Sequence, residues 1–231
     1  MQWTLVVPLK PLARAKSRLS DTAADGLRPG LALAFAQDTV AAALACPAVK
    51  DVAVVTDDAL AGRELGALGA HVVPDEPAGG LNAALAHAAT VVRASRPDGP
   101  VAALNADLPA LRPLELAKVL DAAAEFPRAF LADAATIGTT LLTAAPGNEL
   151  LPAFGEDSRA RHRASGAVEL HLDAVDSVRQ DVDTGEDLRA ALALGVGRRT
   201  AAAVARLRRP EGARESARPA PTAPHPTSNP S

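Results

Sequence analysis

Short apolar runs alternate with alanine-rich helical segments through the first 132 residues, and this rhythm narrows the fold more than any other feature of the chain. Residues 3–7, 49–55, 71–73, 101–104 and 130–132 read as strands, and residues 27–45, 58–68, 80–93 and 113–124 as helices. Within 27–45, Leu31, Phe35, Val40 and Leu44 fall near helical spacing and Pro47 closes the segment. Val52, Val54 and Val55 give the second strand the character of one buried on both faces. The order predicts an α/β domain: a largely parallel sheet with helices on both sides. Hydrophobic residues make up 48% of the chain and aromatics only 2%, so the core must consist of aliphatic side chains and closely packed alanines.

Beyond Asp133 the rhythm changes. Residues 139–142 are a candidate strand, a polar loop runs through Gly155 and Ser158, and residues 159–163 form a basic helical segment. A strand is expected to end at Asp183, followed by Thr184 as a helix N-cap with Asp187 three residues on, a variant of the capping box. The last helix is expected to end near Arg208. Residues 1–208 thus form one domain. Residues 209–231 contain no bulky apolar side chain, cannot offset their ordering entropy, and are predicted to be a disordered tail rich in Pro and Arg.

Several function classes are disfavoured. A formal net charge of -3 gives no global attraction to nucleic acid or to an anionic membrane. No apolar run approaches the ~20 residues that span a bilayer, and the chain enters a strand without a basic leader, which predicts a cytoplasmic protein. Cys46 is the only cysteine, so no intrachain disulfide forms. Its place at the end of an apolar helix fits an inert buried thiol in a reducing compartment.

In an open α/β sheet, ligands gather beyond the carboxyl ends of the strands. The first strand delivers a loop carrying Lys10, Arg14, Lys16 and Arg18 and no glycine, unlike a GxGxxG turn or a P-loop. Phosphate would have to be met there by side-chain charge; an ordinary solvated basic loop is the alternative. The strand at 101–104 leads to Asn105, Ala106 and Asp107. Asp107 is either a turn former or a metal ligand. Asp181 and Asp183, read as sharing one strand face, add a second acidic site. Two separated strand-end aspartates suit magnesium, which favours one or two carboxylates with phosphate oxygens and water; helix capping is the competing role. Residues 153–163 combine Gly155, Ser158 and three arginines at a helix start, where backbone amides would favour an anion. His71, His87, His171 and His225 form no ligand-spaced pair, and His162 is left unassigned.

The strings VPLKPLARAKSRL, NADLPAL, AFGEDSRARHRASGAV and DVDT, in that order, resemble the actinobacterial phosphoenolpyruvate (or 2-phospho-L-lactate) guanylyltransferases of deazaflavin coenzyme F-420 biosynthesis. The likeness covers residues 1–208. It implies a three-layer nucleotidyltransferase fold, similar to that of nucleotide-diphospho-sugar transferases, with a mostly parallel mixed sheet. It also implies GTP as substrate, Mg2+ as cofactor and release of pyrophosphate. Carried over by position, the metal aspartates fall on Asp107 and on the Asp181 and Asp183 pair, with Asp183 favoured. The acid's contacts fall on Thr140, Gly155 and Ser158. Lys10, Lys16 and Arg18 are then the nucleotide-binding cations, and Lys16 is counted with Asp107 and Asp183 as catalytic. The expected partners are small molecules and the next enzyme of the pathway, with no nucleic acid and no membrane. Phosphoenolpyruvate and phospholactate stay open as acceptors. Rival readings are a molybdopterin- or sugar-phosphate-loading enzyme of the same architecture, which usually has a Gly-rich first loop, and a nucleotide-binding module without turnover.

Overall fold

A computed structural model describes residues 1–14, 28–76 and 79–207. The strands are β1 (Trp3–Pro8), β2 (Val49–Val55), β3 (His71–Val73), β4 (Val101–Leu104), β5 (Arg128–Ala132), β6 (Thr139–Ala144) and β7 (Val168–Glu169). They form one seven-stranded sheet in the order β3-β2-β1-β4-β6-β5-β7. Among the described residues β6 alone runs against its neighbours, pairing antiparallel with both β4 and β5. The other described pairings are parallel.

The helices are α1 (Arg28–Leu44), α2 (Ala59–Gly66), α3 (Leu81–Ser95), α4 (Pro113–Ala123), α5 (Ser158–Ala164), α6 (Asp176–Arg179), α7 (Gly185–Leu194) and α8 (Arg198–Leu207). Successive side chains of a strand point to opposite faces, and the buried residues divide accordingly. Trp3, Leu5 and Val7 of β1 pack with Ala32, Ala36 and Val40 of α1, Leu65 of α2 and Leu116 and Leu120 of α4. Val6, Ala53 and Ala103 face the other way, against Leu85, Ala88 and Ala89 of α3. The sheet is therefore covered on both sides, as the strand sequences predict. Alanine at the helix contacts lets α1 and α3 lie close to the sheet. A third apolar group joins Leu31 and Phe35 of α1 to Val182, Leu188, Ala191 and Val204.

Local chemistry sets the boundaries. Pro113 occupies the first turn of α4. Thr184 and Asp187 form a reciprocal capping box on α7, as their spacing predicts. The Asp38 carboxylate on α1 accepts the N–H groups of Arg199 and Thr200, at 3.2 and 2.8 Å, and so caps α8 from a different helix. Gly197 is required there because a side chain would overlap Asp38. Cys46 is buried, and burial raises its thiol pKa, in keeping with an inert role.

One expectation fails. Residues 180–184 form no strand, so Asp181 and Asp183 share no strand face. The alternation around buried Val182 looks like a strand in sequence. In the fold, the segment links α6 to α7, and Val182 N–H donates to Asp107 C=O at 3.1 Å in place of a ladder.

Candidate active site

The carboxyl ends of β1, β2 and β4 open on one edge of the sheet. Because β6 is antiparallel to β4, with Leu104 opposite Leu141, it brings its first residues to that edge. Thr139 and Thr140 thus stand beside strand ends although they begin a strand.

On the β1 side the chain forms an arch. Leu9 is buried and its N–H donates to Val55 C=O at 2.9 Å; Leu12 is buried and its N–H donates to Asp58 Oδ2 at 2.9 Å. Lys10 and Pro11 stand exposed between these two supports. Lys16 and Arg18 lie outside the described residues. Asp58 also caps α2, and the N–H groups of Ala61 and Leu12 hold its carboxyl below the usual range. Its neighbour Asp57 accepts the N–H of Asp75, beyond β3, at 3.0 Å.

At the centre, Asn105 follows β4. Its N–H donates to Thr140 C=O at 2.9 Å, and its side-chain amide makes a long hydrogen bond of 3.5 Å to Asp181 Oδ2. Together with the bond from Val182 to Asp107, this brings the segments of Asp107, Thr140 and Asp181 side by side. Leu108 N–H donates to Thr39 Oγ1 of α1 at 3.0 Å, which fixes the chain just past Asp107. Asp183 is exposed, and its N–H donates to Asp187 Oδ2 at 3.1 Å. The aspartates are hard oxygen donors on two adjoining segments, a chemistry suited to a divalent cation that also takes ligands from substrate and water. Among the described residues, no group of three or more His, Cys, Asp or Glu side chains gathers as a metal cluster.

The β6 side is held from within. Thr140 is fully buried, and its Oγ1 has no hydrogen-bond partner among the described residues. Such an atom is costly unless a ligand or an ordered water engages it. Asn82 of α3 grips the main chain of Phe154 twice, accepting its N–H at 2.8 Å and donating to its C=O at 3.0 Å. Gly155 comes next with φ +110°, a left-handed conformation that disfavours a side chain, and a Cβ there would press on Arg161 at 3.2 Å. Ser158, buried, opens α5.

His162 links this loop to β6. Its Nε2 receives the N–H of Ala153 at 2.9 Å, so Nε2 is an acceptor and the ring proton must sit on Nδ1, which donates to Thr139 Oγ1 at 2.9 Å. Burial, with the charges of Arg128 and Arg161, pushes its pKa down to about 4, which keeps the ring neutral. Arg128 of β5 is buried and donates to Leu150 C=O, Leu151 C=O and both oxygens of Ser165.

Two details of this loop depart from expectation. The amides at the start of α5 are not open to an anion at Ser158 and Arg159, which donate to Gly155 C=O and Ile137 C=O at 3.1 and 3.2 Å. The three arginines are also engaged: Arg159 and Arg163 both pair with Glu169, and Arg161 donates to the carbonyls of Phe154 and Glu156. Burial raises the Glu169 carboxyl, but the bonds from Arg159 and Arg163 outweigh it and leave it below its usual range.

Sequence reasoning missed Asp58, Asn82, Arg128 and the role of His162. Asp58 carried a signal as an acid ahead of a helix. Asn82 carried none, since its partner is 72 residues away.

A mostly parallel mixed sheet of seven strands, covered by helices on both faces, is a nucleotidyltransferase-like α/β fold. It is shared with a nucleotidyl transferase from Methanothermobacter, at a TM-score of 0.58 and 21% identity over 84% of this chain and 97% of that one. A Mycobacterium tuberculosis H37Rv protein solved in complex with manganese gives 0.51 at 20% identity, over 84% and 99%. The chain belongs to the family described as guanylyl transferase CofC like, which it matches over residues 3–217. Over 207 residues it is 85% identical to the phosphoenolpyruvate guanylyltransferase of Streptomyces coelicolor, covering 90% of this chain and 98% of the relative. The corresponding Streptomyces avermitilis protein is 84% identical over 207 residues, covering 90% and 96%.

Proposed function

We propose that this protein joins GMP from GTP to the phosphate of phosphoenolpyruvate, with release of pyrophosphate, as a step in F-420 biosynthesis in the cytoplasm. The observation that carries this reading is the near full-length likeness to the Streptomyces enzymes of that name. The geometry supports the division of labour. In this reading the β1 arch presents Lys10 to the triphosphate, and Thr140, Gly155 and Ser158 receive the acid; Lys16 and Arg18, outside the described residues, are assigned to the triphosphate by their place in the sequence alone. Asp107 and Asp183 hold magnesium, with Asp181 beside them at Asn105. Residues 1–208 are the catalytic unit, and 209–231 contribute nothing to turnover.

A phosphate oxygen of the acid attacks the α-phosphorus of GTP in line. A new phosphorus–oxygen bond forms, and the bond from the α-phosphorus to the oxygen bridging to the β-phosphate breaks, so that pyrophosphate leaves with the electron pair. The nucleophile is already ionised at neutral pH, so the site needs no general base. Both reactants are anions, and the protein's task is to neutralise and align them. Magnesium, when bound, supplies charge for the phosphate oxygens. Lys10 and Lys16 offset charge on the departing pyrophosphate, while the Thr140 and Ser158 hydroxyls and the close backbone approach at Gly155 orient the acid.

The test is incubation with GTP, magnesium and each acid in turn, reading pyrophosphate and product mass. A guanylylated phosphoenolpyruvate is expected. Product from phospholactate alone would reassign the acceptor, and GTP binding without pyrophosphate release would overturn the enzymatic reading.

A further inference from the structure

The loops leaving β1 and β2 are fastened together by one carboxylate. Asp58 Oδ1 accepts the N–H groups of Leu60 and Ala61, each at 3.0 Å, while Oδ2 accepts the N–H of Leu12 at 2.9 Å. The cap of α2 requires only the first oxygen, because the single hydroxyl of a serine serves the same donors about as well. The second bond reaches across 46 residues and has no part in the helix.

What that bond holds is the cationic arch. Its first support is Leu9, buried and bonded to Val55; its second is Leu12, buried and bonded to Asp58. Pro11 has a fixed φ and confines Lys10 before it to extended conformations, so the two-residue span is stiff. A stiff span on two fixed supports aims its one cation. Without the Asp58 bond, the second support keeps only its apolar side chain, which anchors position but not the direction of the main chain.

We propose that Asp58 is a positioning residue for the nucleotide: its Oδ2 holds the main chain at Leu12 so that Lys10 is presented to the triphosphate. The proposal rests on the arch being the nucleotide side of the crevice. Because the two oxygens have separate duties, substitution can remove one and keep the other. Asp58→Ser retains a cap for α2 and leaves the Leu12 N–H without its acceptor.

Three measurements on purified full-length protein decide it: the melting temperature, amide exchange over residues 9–14, and steady-state kinetics with each substrate varied at saturating levels of the other. For Asp58→Ser the melting temperature should stay within about 3 °C of wild type. Exchange at Leu12 should accelerate, and kcat/KM for GTP should fall about tenfold with the KM for phosphoenolpyruvate unchanged. Asp58→Asn, which also caps but places an amide beside Leu12, should repeat the pattern in weaker form. Unchanged exchange at Leu12, or faster exchange with wild-type kinetics for GTP, overturns the proposal and leaves Asp58 as a helix cap. Lys10→Ala separates this failure from a failure of the underlying reading: wild-type kinetics for GTP in that variant would remove the arch from the nucleotide site altogether.

Discussion

On the β1 to β3 side of the crevice, the loops are held at the protein surface by half-exposed or exposed carboxylates, Asp57 and Asp58, that accept main-chain N–H groups. On the β5 to β6 side, the loop carrying Gly155 and Ser158 is held from beneath by Arg128, His162 and Asn82, through side chains tied to carbonyls, hydroxyls and amides. The two constructions suit two kinds of ligand. Under the proposed function, the first side meets a large and highly charged triphosphate with Lys10 presented from a stiff, fastened span. A three-carbon acid offers few atoms, so its binding depends on short, directed donors whose positions are fixed before it arrives.

The largest effect should come where both sides meet. Asp107 is joined through Val182 to the acidic segment and lies two residues beyond Asn105, which bonds to Thr140. Asp107→Asn keeps the size and removes the charge proposed to hold the metal, so turnover should fall roughly 100- to 1,000-fold with either substrate saturating. A parallel Asp183→Asn and Asp181→Asn comparison, titrated with magnesium, would show which of the pair shares the metal. Near-normal turnover of Asp107→Asn at limiting magnesium would remove it from the metal site and leave the two sides of the crevice without a common centre.

Next is the acid's own contact. Ser158→Ala removes a hydroxyl proposed to donate to a charged group, which costs about 1.5 to 3 kcal/mol, or roughly 10- to 150-fold in kcat/KM for phosphoenolpyruvate. The constant for GTP should barely move. If GTP weakened while the acid's constant held, the two sides would have been assigned the wrong way round.

The β6 side should also carry a pH signature of its own, set by His162. In the unfolded chain His162 titrates near the ordinary ~6.5; in the fold its pKa is pushed down to about 4. Well above pH 6.5 both states hold it neutral and its contribution to stability is complete. As pH falls from there toward 4, the unfolded chain takes up a proton that the folded chain refuses, and stability declines by about 3 kcal/mol in total. His162→Gln keeps an acceptor for Ala153 and does not titrate, so its denaturation free energy should fall less steeply across this window. Parallel curves for wild type and variant would mean that the ring is not held neutral as its two hydrogen bonds require.

How far these features could be read in the sequence follows from the range of the interactions. Strand and helix alternation reports local periodicity, and the capping of α7 rests on Thr184 and Asp187, three residues apart, so both were legible. The Asp181 to Asp183 segment misled because one buried valine between two acids imitates a strand, while its true partner, the Asp107 carbonyl, is remote in the chain. The antiparallel course of β6 was equally hidden, and with it the physical reason why Thr140, at a strand start, reaches the ligand edge. The grips of Asn82 on Phe154 and of Arg128 on Leu150 leave no local pattern. Nothing near either residue distinguishes it from a surface side chain.

The smallest effect should come from an arginine that looks like a substrate ligand in the sequence and is otherwise employed in the fold. Arg163 lies on α5, six residues before Glu169, and pairs with its carboxylate; Arg159 pairs with the same group at 2.8 Å. Glu169 is only 8% exposed at its side chain, so it needs a cationic partner, and Arg159 supplies one even without Arg163. Arg163 itself is 57% exposed, and an exposed partner in a shared ion pair is screened by water. Arg163→Gln should therefore cost about 0.2 to 1 kcal/mol of stability, diminishing with added salt. It should leave kcat/KM for phosphoenolpyruvate within about twofold of wild type, since the charge it loses is directed at Glu169 and away from the acid. Arg159→Gln, which removes the better buried partner and its bond to Thr136 C=O, should cost more. A tenfold loss for the acid in Arg163→Gln, with stability unchanged, would show that this arginine leaves Glu169 when substrate binds. The β6 side would then rearrange on binding, in contrast to the stiff span that carries Lys10.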